Sequence, residues 1–381
     1  MLVRSLPGLL LRCSLLLLVV ATVLSGCRGD GTADRTALRQ AMLNDIGDRV
    51  ILPAHDQAAS DAAALVIALE ALEAAPSAAT LDAAQAAWLT MAKSWRHVAA
   101  FNLRGPVKRG LYHNRINSWP TRPDRLEEAI ADARAKDVAF VQTKGSTTRG
   151  LPAIEYLIFD ASGDSAVLDS LAGPNGESRR ALARAIAQDV AGQSADLVQA
   201  WSPNGGDALG TFIAADTEGR FLRSSVSRLV NELSMLAEDL RYNQLGAPLG
   251  ISRDPNDPRS TPDPMAVEAP YAGATVDLLR AQLVGMRTLV TANDGVGLDD
   301  YLASLDAQID GQSMGEALLA NLDALDAALA AIPGSMRDAL AQDPEAVQSA
   351  YDEAVNLLRL VKTDVAGWLG ISITFSDNDG D

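Results

Sequence analysis

Between residues 222 and 240, Leu222, Val226, Leu229, Leu233, Leu236 and Leu240 follow one another at steps of four and three. That spacing lines aliphatic side chains along one face of an α-helix, and such a face is stable only when packed against other elements. The pattern recurs. Leu318, Leu322, Leu325, Leu329 and Ile332 form a second stripe, stopped by Pro333-Gly334, and Tyr351, Val355, Leu358, Val361 and Val365 form a third. The same period predicts helices over 38–75, with Pro53 as a kink or break, over 79–102 with its start near Ser77 to Thr80, and over 176–201. Pro123 suits a first helical position, with Glu127 and Glu128 in the early turns where the helix dipole favours acids. The segments are short and punctuated, which favours antiparallel bundles over a long coiled coil. The residues are 48% hydrophobic but only 4% aromatic, a mix suited to aliphatic helix packing rather than to a β-sandwich. The predicted fold class is all-α.

A chain of 381 residues holds roughly two domains, at about 100–200 residues each. The composition changes over 246–270, "GAPLGISRDPNDPRSTPDPMAVEAP", which contains six of the 17 prolines. A stretch of that length without helical period is a functional loop or a linker. The expected organisation is a helical bundle over 35–245, a Pro-rich linker over 246–270 and a second bundle over 271–381.

The first 26 residues combine Arg4 and Arg12 with a leucine-rich run and end on Leu24-Ser25-Gly26-Cys27. This resembles a bacterial lipoprotein signal, cut before a cysteine that carries lipid. Cys27 is the expected lipidation site, with 27–34 as a tether and the membrane reached through the acyl chains. Arg28 stands where an Asp would favour retention at the inner membrane, so the expected location is the outer membrane, facing the periplasm. The only other cysteine, Cys13, lies in the signal. Disulfides, cysteine catalysis and cysteine-held zinc or iron–sulfur clusters are thereby excluded from the mature chain. The net charge of −17 disfavours nucleic acid and anionic membrane surfaces as partners.

No glycine-rich phosphate loop and no G-x-S-x-G elbow is present. The three histidines, His55, His97 and His113, form no H-x-x-x-H or H-x-x-E pair. They read as surface or packing residues. The unusual acid is Glu155, inside the apolar run "LPAIEYLIF". A buried carboxylate is costly unless paired or metal-bound. Glu155 is therefore either a ligand or perturbed acid, or a structural partner for an arginine such as Arg149 or Arg115.

Five stretches in order, "WLTMAKSWRHVAAFNLRGPV", "RINSWPTRPDRLEEAI", "KGSTTRGLPAIEYLIF", "EAPYAGATVDLLRAQL" and "GISITFSDNDGD", together resemble the imelysin-like proteins across about residues 38–381. The resemblance implies two helical bundles in a lipoprotein of the bacterial envelope, associated with iron uptake and with a founding metallopeptidase activity. The family's signature is G-x-H-x-x-E, proposed to bind metal near the contact of the bundles. Here Gly150 and Glu155 match, but Pro152 replaces the histidine. Proline offers a metal no ligand, and zinc peptidases use three protein ligands and a water.

The leading expectation is therefore a non-enzymatic binding component of iron uptake, taking iron, another divalent metal or an iron complex, with an iron-uptake or redox protein as partner. The expected site comprises Glu155, the one residue with a metal role implied, and its motif neighbours Gly150, Pro152, Arg115, Trp119, Glu268, Tyr271 and Asp379. A metallopeptidase rebuilt around Glu155, which needs His97 or His113 beside it, and a protein-docking lipoprotein are the alternatives.

Overall fold

A computed structural model of the chain describes residues 30–101, 115–215, 224–254, 258 and 260–373. Cys27, His113, Leu222 and Asp379 lie outside the described residues, as does the expected signal peptide. Among the described residues no helix is long and apolar enough to cross a membrane.

The chain enters on a continuous helical rod. It comprises α1 (Asp30–Asp45), a π turn (Ile46–Ile51) and α2 (Leu52–Ala74). The helix starts at Asp30, so the last residues of the expected tether are helical. Pro53 does not end the helix. Its ring nitrogen has no proton for the carbonyl of Arg49 one turn back. The π turn absorbs the misfit: the Leu52 N–H reaches the Gly47 carbonyl. The freed Arg49 carbonyl instead accepts from Asn293 Nδ2 at 2.9 Å, and Asp45 accepts from the Val296 N–H at 2.8 Å.

Helix α3 (Ala78–Ala99) opens on a reciprocal cap between Ser77 and Thr80. Then follow α4 (Pro123–Ala131), with its proline in the first turn, α5 (Val138–Gln142), α6 (Leu151–Ile158), α7 (Asp164–Ala172) and α8 (Gly176–Trp201). The long helices α2, α3 and α8 pack together, and α6 lies against α3 and α8. They share a core of Leu65, Leu69, Leu72, Trp88, Met91, Ile154, Ile186 and Val190. Each fully buried Leu there contributes roughly 1.5–3 kcal/mol.

The second half comprises α9 (Ala208–Ala214), α10 (Ser225–Asp239), a π turn (Leu240–Gly246), α11 (Thr275–Thr291) and α12 (Leu298–Ser304). A two-stranded antiparallel hairpin, β1 (Gln308–Ile309) and β2 (Gln312–Ser313), pairs Gln308 with Ser313. It is followed by α13 (Met314–Ala330), α14 (Met336–Gln342), α15 (Glu345–Arg359), a third π turn (Leu360–Val365) and α16 (Ala366–Leu369). The stripes on α13 and α15, with Val355 half-buried, and the described part of the α10 stripe pack into a second core. The fold is all-α apart from the hairpin.

The two cores do not divide the chain at 246–270. Met42 to Ile51 and the helices from α9 onward belong to the second core, whereas Ala274 and Leu278 join the first. The Pro-rich segment is no free spacer either. Leu249 and Val267 are buried in the second core and Ala269 in the first. The cores meet where α11 crosses α3. Gly285 makes this possible, since a Cβ there would stand 2.6 Å from the His97 carbonyl oxygen.

Candidate functional site

The site is built where the first core meets the lead-in to α11. Gly150 has φ +78, and an added Cβ would fall 2.4 Å from the Ile116 carbonyl oxygen. Only glycine tolerates both conditions. Pro152 sits in the first turn of α6, where its missing N–H costs no hydrogen bond. Trp88 Nε1 holds the start of the helix by donating to the Leu151 carbonyl at 2.8 Å. One turn on, Glu155 is buried at 2% exposure.

Among the described residues no arginine bonds its carboxyl. Glu155 Oε1 accepts from the backbone N–H groups of Tyr271 at 2.7 Å and Ala272 at 2.9 Å. These successive amides are presented by a turn in which Ala269 (φ +54) and Gly273 (φ +64) are left-handed. Consecutive N–H groups aimed at one point form an anion-binding concavity. Here the chain's own acid fills it. Arg337 braces the turn by donating to the Pro270 carbonyl at 2.8 Å. Burial pushes the Glu155 carboxyl up to about 8; the two amides pull the other way and nearby Glu268 raises it further.

Glu268 begins the same turn and is also buried. Arg96 of α3 grips it with two donors, Nε at 3.0 Å from Oε1 and Nη2 on Oε2, and Asn117 Nδ2 adds a bond of 2.8 Å. Arg96 Nη1 continues to Gln282 of α11 at 3.1 Å, and Gln282 Oε1 accepts from Gln244 at 3.2 Å. Gln244 and Asn243 lie in the second π turn and both donate to Asp239, at 2.7 and 2.6 Å. In an α-helix the residues three and four positions on face back to Asp239, not the fifth. The wider turn brings the fifth to the same carboxylate. A cavity of about 450 Å³ opens over this network, lined by Arg96, Asn117, Trp119, Asp239 and Asn243.

The expected residues thus divide. Gly150, Pro152, Glu155, Glu268 and Tyr271 come together, and Trp119 lines the cavity. Arg115 and Arg149 do not serve Glu155 as structural partners: they run to α8, Arg115 to Gln193 at 3.2 Å and Arg149 to Asp189. Backbone amides take their place. Arg96, Gln244 and Gln282 escaped the sequence reading. Arg96 had one visible signal, an arginine on the face of α3 that otherwise carries Trp88, Ala92 and Trp95.

The donor set does not fit a resident metal. Among the described residues no group of three or more His, Cys, Asp or Glu is placed to hold one. Glu155 Oε1 is engaged by two amides, and Pro152 has nothing to offer. His55 lies against the Trp201 ring with Nδ1 2.8 Å from the Ile51 carbonyl oxygen, and burial lowers it to about 4. His97 packs on Phe101, with Nε2 3.3 Å from the Thr288 hydroxyl, and burial lowers it too.

Known proteins agree with this architecture. A crystal structure of an imelysin-like protein from Psychrobacter arcticum superposes with a TM-score of 0.70 at 19% identity, covering 89% of this chain and 98% of that one. An iron-regulated protein A precursor from Parabacteroides distasonis gives 0.70 at 17% identity, covering 91% and 96%. In sequence, the chain is 28% identical over 182 residues to Iron-regulated protein A of Synechococcus elongatus, 48% of this chain and 45% of that protein. It therefore spans less than half the length of that curated relative. The Imelysin (peptidase M75) family model matches residues 51–363, the greater part of both cores, and the chain belongs to the imelysin family.

Proposed function

We propose that this protein is a lipid-anchored envelope component linked to iron uptake, which binds its cargo without cleaving it. The single observation that carries the non-catalytic reading is the occupancy of Glu155 Oε1 by the Tyr271 and Ala272 amides. A carboxylate so engaged is a latch on the turn leading into α11. It is not positioned as a general base or a ligand awaiting metal. The iron link draws on family membership and on the names of the relatives above. The lipobox ending at Cys27 supports anchoring, and Arg28 after it supports the outer membrane, facing the periplasm. The cargo, iron or an iron complex, would sit in the cavity over Arg96, where the Trp119 ring and the Asn117, Asp239 and Asn243 side chains supply one flat wall and polar contacts. An iron-uptake or redox protein would deliver or receive it.

The test is calorimetric titration of the metal-stripped, detergent-solubilised full-length protein with ferrous iron, ferric iron, ferric citrate, zinc and calcium, alongside peptide hydrolysis with each metal. The expected result is binding of iron or its complex, weakened by Trp119→Ala, with no peptide cleavage. Metal-dependent cleavage that disappears in Glu155→Gln would make the protein a peptidase and overturn the proposal.

A further inference from the structure

Away from that cavity, two arginines reach positions one turn apart on α8, and one of them meets a carboxylate there. Gly150 packs directly on the backbone of Arg115 and Ile116, so residues 149–150 and 115–116 abut. From there both arginine side chains run to the same face of α8. Arg149 Nη2 pairs with Asp189, and Arg115 Nη1 donates to Gln193 Oε1 at 3.2 Å, one helical turn further on. Gln142 Nε2 also reaches Asp189, at 3.3 Å. Asp189 and Gln193 are buried, Arg149 is 6% exposed and Arg115 is half-buried.

The charges do not balance. A guanidinium stays protonated at every relevant pH. Arg149 has Asp189, but its buried Nε has no acceptor. Arg115 has only a neutral amide, which uses one of its five N–H donors. Buried Arg96, by contrast, has both oxygens of Glu268. Among the described residues, then, the Arg115 guanidinium stands half-buried with no carboxylate partner, in a chain whose net charge is −17. The spare donors form a planar fork, the geometry that matches the oxygens of a carboxylate or phosphate.

We infer that Arg115 and Arg149, flanked by Gln193, form an oxyanion site for a carboxylate or phosphate group. It lies outside the cavity over Arg96, requires no metal and does not depend on the function proposed above. An anion there supplies the missing counter-charge and ties the segment after residue 114 to α8.

The experiment is calorimetry of the detergent-solubilised full-length protein at low salt in an amine-based buffer, with sodium citrate and sodium phosphate in separate titrations and sodium chloride as control. One oxyanion is expected to bind near one equivalent. Arg115→Gln is expected to weaken it about tenfold or more, and Arg115→Lys, which keeps the charge but loses the fork, by less. Arg359→Gln, on the exposed surface of α15, is expected to change nothing. Preference for citrate assigns a carboxylate ligand and preference for phosphate a phosphorylated one. Melting curves report whether each variant is folded; if Arg115→Gln is not, the Arg115→Lys titration decides. No heat from either oxyanion with the wild-type protein, equal affinity in the folded Arg115 variants, or displacement by chloride at equal concentration would overturn the assignment.

Discussion

Glu155 and Glu268 are both buried acids at the turn before α11, and the fold treats them differently. Glu268 is met by a full cation, Arg96, and by Asn117, through side chains that span the α3–α11 crossing. Glu155 is met by two backbone amides and, among the described residues, by no bonded cation. The first arrangement ties three distant segments together through charge. The second fixes the path of a single turn through dipoles, and its carboxyl is pushed up to about 8 by burial. The contrast teaches that a buried acid need not be a ligand to be indispensable. One acid is a cross-brace and the other a template for backbone shape.

The largest expected effect comes from removing the cation. Arg96→Leu leaves Glu268 buried without its counter-charge and should cost about 3–5 kcal/mol in urea unfolding. The double variant Arg96→Leu/Glu268→Met should recover much of that loss, because the expensive state is the unpaired charge. Equal stability of the single and double variants would show that Glu268 is not being compensated by Arg96.

On the other side of the comparison, Gly150→Ala attacks the placement of Glu155. A Cβ 2.4 Å from a carbonyl oxygen, on a left-handed backbone, should cost about 3 kcal/mol. A neutral substitution would mean that α6 can be repositioned freely.

The pH dependence tests the Glu155 side of the comparison. Glu155 has a folded-state value near 8 against an ordinary 4.5, so the folded protein holds this proton more tightly than the unfolded chain. The penalty for ionising it is absent below about 4.5, grows as pH rises and is complete above about 8. Glu155→Gln keeps an acceptor for the amides and cannot ionise. Its stability relative to wild type should therefore rise by about 2–4 kcal/mol between pH 5 and 8. Parallel stability curves for the two proteins across that window would show that Glu155 is already ionised in the fold.

The smallest effect should be Asn117→Ala. It removes one of three hydrogen bonds to Glu268 while Arg96 remains, and about 1 kcal/mol is expected from thermal unfolding. A loss as large as that of Arg96→Leu would make the amide an equal partner in the brace.

Much of this was legible in the sequence, for identifiable reasons. Helix period, the helix start near Ser77 to Thr80 and the first-turn position of Pro123 are local properties, and each appears where the pattern places it. Glu155 was conspicuous as an acid in an apolar run. Its partners were not, because they are backbone amides aimed by the φ angles of Ala269 and Gly273, and a backbone angle at an alanine leaves no mark in the sequence. The Arg96–Glu268 brace joins residues 172 positions apart. Nothing local announces it except an arginine on an apolar face. Prolines over 246–270 mark the absence of helix, but Leu249 and Val267 show that such a segment can still be part of a core.

The π turn at Ile46–Ile51 has a last consequence, one of counting. Met42 and Leu43 upstream of it face the second core, and Ala58, Ala62 and Leu65 downstream face the first. Along one uninterrupted rod, the angle between those two faces is set only by how many residues lie between them. Each residue of α-helix advances the azimuth by about 100°, so deleting one from the α-helical stretch between the two faces would swing one end of the rod by more than a quarter revolution relative to the other. Substitutions that keep the number unchanged leave that angle alone, whereas a deletion need touch no core residue to turn one of the two faces away from its neighbours. The segment works as a spacer of fixed phase, in which length carries the information that side chains carry elsewhere.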